Sequence, residues 1–361
     1  MTRRITSALV ALGLSLTLSV GTAVAAPARA DVRPIPPHPA GYGFTEGATF
    51  LDLSPNALRR ELDAVAQTHG RWLRVLVAWN EIEPRPGVFR WATLDRIVRE
   101  ARARRIAILF NVGGTPVWAG GLPFFTAPPI DAADLGRFMG TLAQRYRGTH
   151  YEIWNEPNLP LFFGLISPSA LLLDRYVPLL RASAQAIRRV VPHATILAAG
   201  VSRGQDGPLS MSPPTFVQGL YDRGADRWFD AVALHPYLFN DGVSQTYGPG
   251  RDGIAADPDQ AWSDVARVRR IMLAEGDRAK PIWFTEVGAP TSTPGGVSPA
   301  RQLGLLRELF AASRPRRYIG PILIYSIRDN GLLRADREQN FGTLLDARWR
   351  PKPAFAALRR R

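Results

Sequence analysis

The stretch Tyr151-Glu152-Ile153-Trp154-Asn155-Glu156-Pro157-Asn158 decides the fold. It begins with the apolar and aromatic composition of a buried strand and ends in a polar turn. A second stretch has the same design, since Pro281-Ile282-Trp283-Phe284-Thr285 predicts a buried strand and Glu286 stands at its end. Polar groups at the ends of apolar strands are typical of the mouth of a parallel β/α barrel.

Outward from these two stretches, short apolar strands alternate with amphipathic helical patterns, which predicts a parallel sheet. We count eight strand–helix pairs and predict a single α/β domain, a (β/α)8 TIM barrel of residues 41–361. A doubly wound open sheet is the alternative, but no G-x-G-x-x-G turn follows the first strand. The predicted strands are 41–44, 72–78, 106–111, 150–154, 195–199, 230–234, 281–285 and 321–326, and the predicted helices are 55–69, 93–104, 132–146, 169–190, 214–222, 259–274, 299–312 and 351–359.

Residues 1–30 predict a signal peptide. Arg3 and Arg4 give a charged start, Ile5 to Val20 is largely apolar, and Ala28-Arg29-Ala30 offers a small-x-small cleavage site. A membrane anchor that stays attached is the alternative, but the apolar run is short and interrupted. We therefore expect a secreted or envelope-associated protein with no stable membrane span after cleavage. Residues 31–40 predict a Pro-rich, extended lead-in to the domain.

Composition excludes several classes of function. The absence of cysteine rules out thiolate metal sites, iron–sulfur clusters and a cysteine nucleophile. The formal charge of +14 falls to +11 without the three arginines of the signal segment, which would suit acidic glycans, lipid head groups or nucleic acid. Many arginines have helical spacing, and no basic stripe with interleaved aromatics stands out, so we expect solvated helix faces and no nucleic-acid partner.

Glu156 and Glu286 are the first candidates for chemistry, because two carboxylates across one bond are what glycosidic cleavage requires. Asn155 could donate a hydrogen bond to a sugar hydroxyl through its amide. Strict strand alternation would place Asn155 and Glu156 on opposite faces, so both point inward only if the strand bends there. The alternative for Glu156 is an ordinary surface turn, and for Glu286 an ion pair at the barrel mouth.

Arg74 is a charged residue inside the predicted second strand, so an anion should lie within its reach. That anion is either Glu286, which would then stay ionised, or a purely structural partner such as Glu152. His235 and Tyr237 end the sixth strand and could hydrogen-bond a catalytic carboxylate or substrate; a core histidine and an ordinary rim tyrosine are the alternatives. The five histidines are scattered without H-x-H or H-E-x-x-H spacing, so we expect no metal and no cofactor.

Aromatic residues crowd the predicted rim, and their faces could stack on sugar rings. Trp79 and Trp118 lie just past strand ends and are the better candidates. For the Phe pairs we expect loop packing instead. The remaining rim aromatics are Phe124, Phe125, Phe162, Phe163, Tyr247 and Tyr325.

These residues resemble the clan A glycoside hydrolases, retaining (β/α)8 enzymes, over nearly all of the chain after residue 30. The most specific match is 154–158, Trp-Asn-Glu-Pro-Asn, which resembles the acid/base signature of the clan; Glu286 matches its nucleophile position. Arg74 and His235-x-Tyr237 match the usual supporting residues. The segments 79–91 and 115–118 look most like family 39 and its bacterial exopolysaccharide endoglycosidase relatives, with family 5 close behind.

The resemblance implies cleavage of β-linked polysaccharide or oligosaccharide by double displacement, with Glu156 as acid/base and Glu286 as nucleophile, in a monomer. The chain departs from the clan after strand eight, where Tyr325 stands in place of the common tryptophan and could replace it as the sugar platform. The alternatives are a catalytically silent glycan-binding protein and a transglycosylase on the same barrel. No G-x-S-x-G elbow supports a serine hydrolase.

Overall fold

The computed structural model describes residues 33–36, 38–120, 126–148, 150–164, 169–239, 242–243 and 261–360. The predicted signal peptide, residues 1–30, lies outside them. Of the lead-in, Ile35 is buried, and its backbone N–H donates to the carbonyl of Ala357, at 3.3 Å. The segment before the barrel therefore packs against the carboxyl-terminal helix.

Parallel strands form one closed sheet, which confirms the predicted (β/α)8 barrel. Their order is β5-β4-β3-β2-β1-β9-β8-β7-β6. The fifth predicted strand is split into β5 and β6, and the two halves close the barrel because Leu197 bridges to Ala231 and Val201 pairs with Leu234. The strands are β1 Tyr42–Thr45, β2 Trp72–Ala78, β3 Ala107–Gly113, β4 His150–Ile153, β5 Thr195–Leu197, β6 Val201–Ser202, β7 Val232–His235, β8 Ile282–Val287 and β9 Ile319–Tyr325.

Helices surround the sheet. Three of them start with the dipeptide Ser-Pro: the hydroxyls of Ser54, Ser212 and Ser298 accept backbone N–H groups of the first turn, and the following proline already has helical φ. In the described residues the helices are α1 Pro55–Gln67, α2 Trp79–Ile82, α3 Ala92–Ala103, α4 Val117–Gly120, α5 Ala132–Tyr146, α6 Ser169–Val190, α7 Pro213–Asp222, α8 Ala261–Ala274, α9 Pro299–Ser313 and α10 Pro353–Arg359. None of these helices is long and apolar enough to cross a lipid bilayer.

The barrel interior is apolar towards the amino-terminal ends of the strands and polar towards the carboxyl-terminal ends. Trp72 and Trp283 meet edge to face with ring centroids 5.0 Å apart, and His150 packs against Trp72 at 4.7 Å. These rings lie in or beside an apolar cluster distinct from the larger core between sheet and helices. Above it, the interior side chains are hydrogen-bonded polar groups, so the polar end of the barrel is where a ligand can be recognised.

Candidate active site

Arg74, on β2, organises the polar end of the barrel. Its side chain is buried, and its guanidinium makes five hydrogen bonds to four residues that lie on or beside three other strands. The contacts are Glu152 at 2.6 and 3.2 Å, Glu286 at 2.6 Å, Asn155 Oδ1 at 2.7 Å and Thr45 Oγ1 at 3.2 Å. The predicted need for an anion is therefore met twice, by Glu152 and by Glu286.

Glu152 is the structural partner of this arginine. Its carboxylate is fully buried and receives both the Nε and the Nη2 of Arg74. Its Oε1 also accepts the backbone N–H of Gly200 at 2.9 Å and the hydroxyl of Thr285 at 3.2 Å. Every donor this carboxylate needs is thus supplied by the protein, so Glu152 has no oxygen to offer a ligand.

The backbone bends at the end of β4, as the inward placement of both Asn155 and Glu156 requires. Trp154 and Glu156 have φ values of 76° and 43°, in the left-handed region. These two residues interrupt the alternation of the strand, which would otherwise send neighbouring side chains to opposite faces. Asn155 therefore reaches Arg74, while Glu156 reaches His235 at 2.7 Å.

A bulge at the end of β8 does the same for the second carboxylate. Phe284 pairs with Ile322 and Val287 with Ile324, so three steps along β8 match two along β9. The extra residue allows Thr285 and Glu286 to face the interior together, although they are adjacent in sequence. Thr285 contacts Glu152 and His235, and Glu286 contacts Arg74.

Glu286 is held in its ionised form. Its Oε1 accepts from Arg74 at 2.6 Å, and its Oε2 accepts the hydroxyl of Tyr237 at 2.7 Å. Burial by itself would raise the pKa of Glu286, but His235, Arg74 and the Tyr237 hydrogen bond together lower it below its usual value. The side chain keeps 16% of its surface exposed, so this anion also faces the cleft.

His235, the last residue of β7, lies between the two carboxylates. Its Nδ1 is 2.7 Å from Glu156 Oε1 and 3.7 Å from Glu286 Oε2. Burial by itself would lower the pKa of His235, but Glu286 and Glu156 raise it above its usual value. Gly200 makes room for this packing, because a Cβ there would lie 2.2 Å from His235 Nε2.

Glu156, His235 and Glu286 converge on one point, with one polar atom of each within 4.8 Å of the others. Such a set could in principle ligate a metal ion. However, Arg74 already neutralises Glu286 and would repel a cation placed beside it, so the donor set does not suit a metal. A separation of this size does suit two carboxylates that act on one bond of a sugar, which takes about 5–5.5 Å in retaining enzymes.

The expectation that Trp79 stacks on substrate is wrong, because its ring has no exposed surface. It stacks on Phe138 with centroids 5.6 Å apart, and its Nε1–H donates to Glu83 at 2.7 Å. Trp118 is only half-buried; it packs edge to face on Trp79 and donates to the Glu83 carbonyl at 2.9 Å. Glu83, which sequence reasoning did not single out, therefore anchors both indoles.

Tyr325 ends β9 beside Tyr237, and part of its ring is exposed. Its ring centroid is 6.4 Å from that of Tyr237 and 5.2 Å from that of Phe341. The structure thus places it next to the tyrosine that contacts Glu286, where an aromatic platform is useful. Phe163 is buried against Trp154, as expected of loop packing. The remaining predicted rim aromatics Phe124, Phe125 and Tyr247 lie outside the described residues.

No protein-family model matches the sequence, and no curated protein matches it significantly. Solved structures do. A family 39 glycoside hydrolase of Bacteroides cellulosilyticus superposes with a TM-score of 0.70 at 20% identity, over 89% of this chain and 63% of that one. A monomeric β-xylosidase of Caulobacter crescentus gives 0.65 at 19%, over 91% and 69%. A GH5_18 protein of Streptomyces cattleya, solved with Manb1-4GlcNAc, gives 0.62 at 19%, over 90% and 79%.

These similarities confirm the resemblance at the level of the fold. They include families 39 and 5, the two that the sequence motifs favoured. This chain spans 63% of the length of the family 39 structure, so that protein has further residues without a counterpart here. At identities of 20% and below, shared architecture is what the comparisons establish, and chemistry has to be argued from the site itself.

Proposed function

We propose that this protein is a retaining glycoside hydrolase that cleaves O-glycosidic bonds of a β-linked glycan. One observation carries the proposal: Glu156 and Glu286, from different strands, converge within 4.8 Å around His235 at the open end of the barrel. A buried arginine and a tyrosine hydroxyl keep one of the two carboxylates charged. The fold is one that similar structures use for this class of chemistry.

Glu286 is the nucleophile of the proposed mechanism. Its low pKa keeps it ionised, so one of its oxygens can attack the anomeric carbon. Glu156 donates a proton to the departing glycosidic oxygen as the bond to the sugar breaks. A glycosyl ester on Glu286 results. The hydroxyl of Tyr237 and the guanidinium of Arg74 remain beside the ester oxygens, where charge returns in the next step.

In the second half of the mechanism, Glu156 is the base. It takes a proton from a water molecule whose oxygen attacks the anomeric carbon, and the ester bond to Glu286 breaks. Two inversions at the same carbon leave the original configuration. Asn155 is fixed by Arg74 through its Oδ1, which leaves its amide nitrogen to donate to a hydroxyl of the bound sugar.

For the substrate, we propose a polysaccharide or oligosaccharide outside the cell, bound with Tyr325 as one aromatic platform and Trp118 as another on the rim. Both rings are partly exposed, which supports this role. The charge of +11 after residue 30 favours an acidic or envelope-attached polymer. Secretion follows from the predicted signal peptide.

The first experiment is hydrolysis of a panel of aryl β-glycosides and of plant, microbial and envelope polysaccharides. Glu156→Gln and Glu286→Gln should each reduce turnover of the best substrate by at least about 1,000-fold with an unchanged melting temperature. Glu81→Gln is the matched control, since Glu81 is exposed on the same rim. Near-normal turnover in either site variant, or equal loss in the control, would reject the assignment.

Covalent trapping separates hydrolysis from the alternatives. A 2-deoxy-2-fluoro glycoside with a good leaving group should label Glu286, because the electronegative fluorine slows the second step. A silent glycan-binding protein would bind the same compound without labelling. A transglycosylase would also be labelled, but it would release the sugar faster with an acceptor sugar than in water alone, and its main product would be a longer saccharide.

A further inference from the structure

A buried chain of hydrogen bonds runs from the structural carboxylate to the proposed acid/base. Glu152 Oε1 is 3.2 Å from Thr285 Oγ1, which is 3.1 Å from His235 Nε2. His235 Nδ1 is in turn 2.7 Å from Glu156 Oε1. All four residues are at most 6% exposed. The chain joins β4, β8 and β7 and ends at the group that would protonate the leaving oxygen.

The Glu152 end of the chain has a fixed direction. Arg74 binds both oxygens of Glu152 and keeps it an acceptor only. The single hydroxyl proton of Thr285 therefore points at Glu152. What Thr285 presents to His235 is its lone pairs, because a hydroxyl has one proton to give.

Thr285 in turn dictates where His235 carries its proton. An oxygen with only lone pairs towards the ring requires an N–H at Nε2. In the neutral ring, Nδ1 is then the unprotonated, accepting nitrogen. Because Nδ1 and Glu156 Oε1 are 2.7 Å apart, one proton has to lie between them. It is either on Glu156, beside a neutral ring, or on Nδ1, beside a carboxylate.

We propose that Thr285 is a positioning residue that fixes the Nε2–H tautomer of His235, so that the proton used in catalysis is held between His235 Nδ1 and Glu156 Oε1. This inference rests on the proposed glycosidase function. In the first half of the reaction that proton passes to the leaving oxygen, and a neutral ring and a carboxylate remain. In the second half the attacking water returns it. The opposite tautomer would donate to the Glu156 carboxylate and hold it in the form that cannot act as an acid.

Several charges face the ring from the surrounding strands and affect its protonation. Glu156 and Glu286 are 2.7 and 3.7 Å from Nδ1, and Glu152 is 3.9 Å from Nε2. All three favour the protonated ring. Arg74, beside two of these carboxylates, opposes protonation. The pair of His235 and Glu156 is thus expected to retain its proton into neutral pH, where neutral imidazole alone would not supply an acid.

Thr285→Val tests the proposal, because valine keeps the shape but cannot accept from Nε2. We expect hydrolysis of phenyl β-glycosides, which need protonation of the leaving group, to fall about 10- to 100-fold, as when a buried donor loses its partner. Hydrolysis of 2,4-dinitrophenyl β-glycosides should change less than about threefold, since that group leaves without an acid. Thr285→Ser, which keeps the hydroxyl, should restore the phenyl substrate. An equal loss on both substrates, or no rescue by serine, would overturn the proposal.

Nitrogen-15 spectra of histidine provide a readout that does not depend on activity or on the valine variant folding. Each of the five histidines gives its own pattern, and the His235→Gln variant assigns that of His235. Wild-type protein, above the pH at which the ring loses its charge, should show the proton on Nε2. A proton on Nδ1 there would overturn the inference even if glycosides are hydrolysed. Failure of the wild type to hydrolyse any glycoside would instead reject the proposed function, with the tautomer still measured.

Discussion

Arg74→Met is the most informative perturbation of the site. The substitution keeps much of the apolar stem of the side chain and removes a guanidinium with five hydrogen bonds. The residue left in the worst position is Glu152, which has no exposed surface and loses both contacts to its counter-ion. Glu286 loses one of its two donors but keeps the hydroxyl of Tyr237.

The size of the effect follows from that geometry. Removing one partner of a buried ion pair costs about 3–5 kcal/mol, because the other charge remains in a medium of low dielectric. This corresponds to a drop of roughly 200- to 5,000-fold in the folding equilibrium constant. Activity should fall as well, since burial then raises the pKa of Glu286 with less opposition. The acid limb of the pH–activity curve is expected to move to higher pH.

Urea denaturation followed by tryptophan fluorescence measures the first effect. The matched control is the double variant Arg74→Met/Glu152→Gln, which also removes the stranded charge. It should regain at least about 2 kcal/mol relative to the single variant, while its activity stays low because Glu286 still lacks its arginine. Additive effects of the two substitutions, or a loss below about 1 kcal/mol for Arg74→Met, would refute the reasoning.

Further predictions concern the residues around that network. Gly200→Ala should cost at least about 2 kcal/mol and most of the activity, because the new Cβ would lie 2.2 Å from His235 Nε2 and 2.6 Å from Glu152 Oε1; Gly304→Ala in α9, whose nearest neighbour atom is 3.9 Å away, should be neutral or stabilising in the same thermal melt. The pH profile of kcat/KM should be a bell: Glu286 has a pKa below its ordinary 4.5, so its contribution to activity and stability is present above that range and is lost as the pH falls through the lowered value. His235 has a pKa above its ordinary 6.5, so its contribution is complete below that value and is lost as the pH rises through the raised one. Tyr237→Phe should move the acid limb upward because Glu286 loses a donor, and an unmoved limb would count against this contact. Tyr325→Ala should raise KM about 3- to 10-fold with less effect on kcat, whereas Tyr325→Phe should not, if the ring is a sugar platform.

Much of the barrel could be predicted from the sequence, because buried strands and amphipathic helices have distinct periodicities. The predicted bounds 132–146 and 169–190 coincide with α5 and α6. Boundaries failed where tertiary structure overrides local pattern. The fifth strand extends past a break at 198–200, where Gly200 is needed for close approach to His235 and Glu152. No periodicity of a single strand contains that requirement.

The site was predictable as a set of residues but not as a set of contacts. The expectation that Arg74 needs an anion came from the cost of burying its charge, and two carboxylates meet it. The inward turn of Asn155 and Glu156 depends on left-handed backbone at non-glycine residues, which local sequence does not reveal. Thr285 was missed because its role appears only once β4, β7 and β8 are adjacent.

Trp79 illustrates the opposite error. Its position just after a strand suggested the rim, but the chain forms α2 there and turns the indole into the core against Phe138. A short helix directly after a strand is not visible in a four-residue pattern. Glu83, which receives the indole N–H, lies at the end of this helix, and that pairing could have been suspected from an i, i+4 spacing.

The configuration of the first product tests the central claim most directly. With an active β-glycoside, proton NMR in the first minutes of the reaction should show the β-anomer of the released sugar, before it equilibrates in water. This outcome follows if Glu286 attacks the anomeric carbon directly across the gap of at most 4.8 Å that separates it from Glu156. Initial release of the α-anomer would mean that water, not Glu286, attacks the sugar, and would contradict the account.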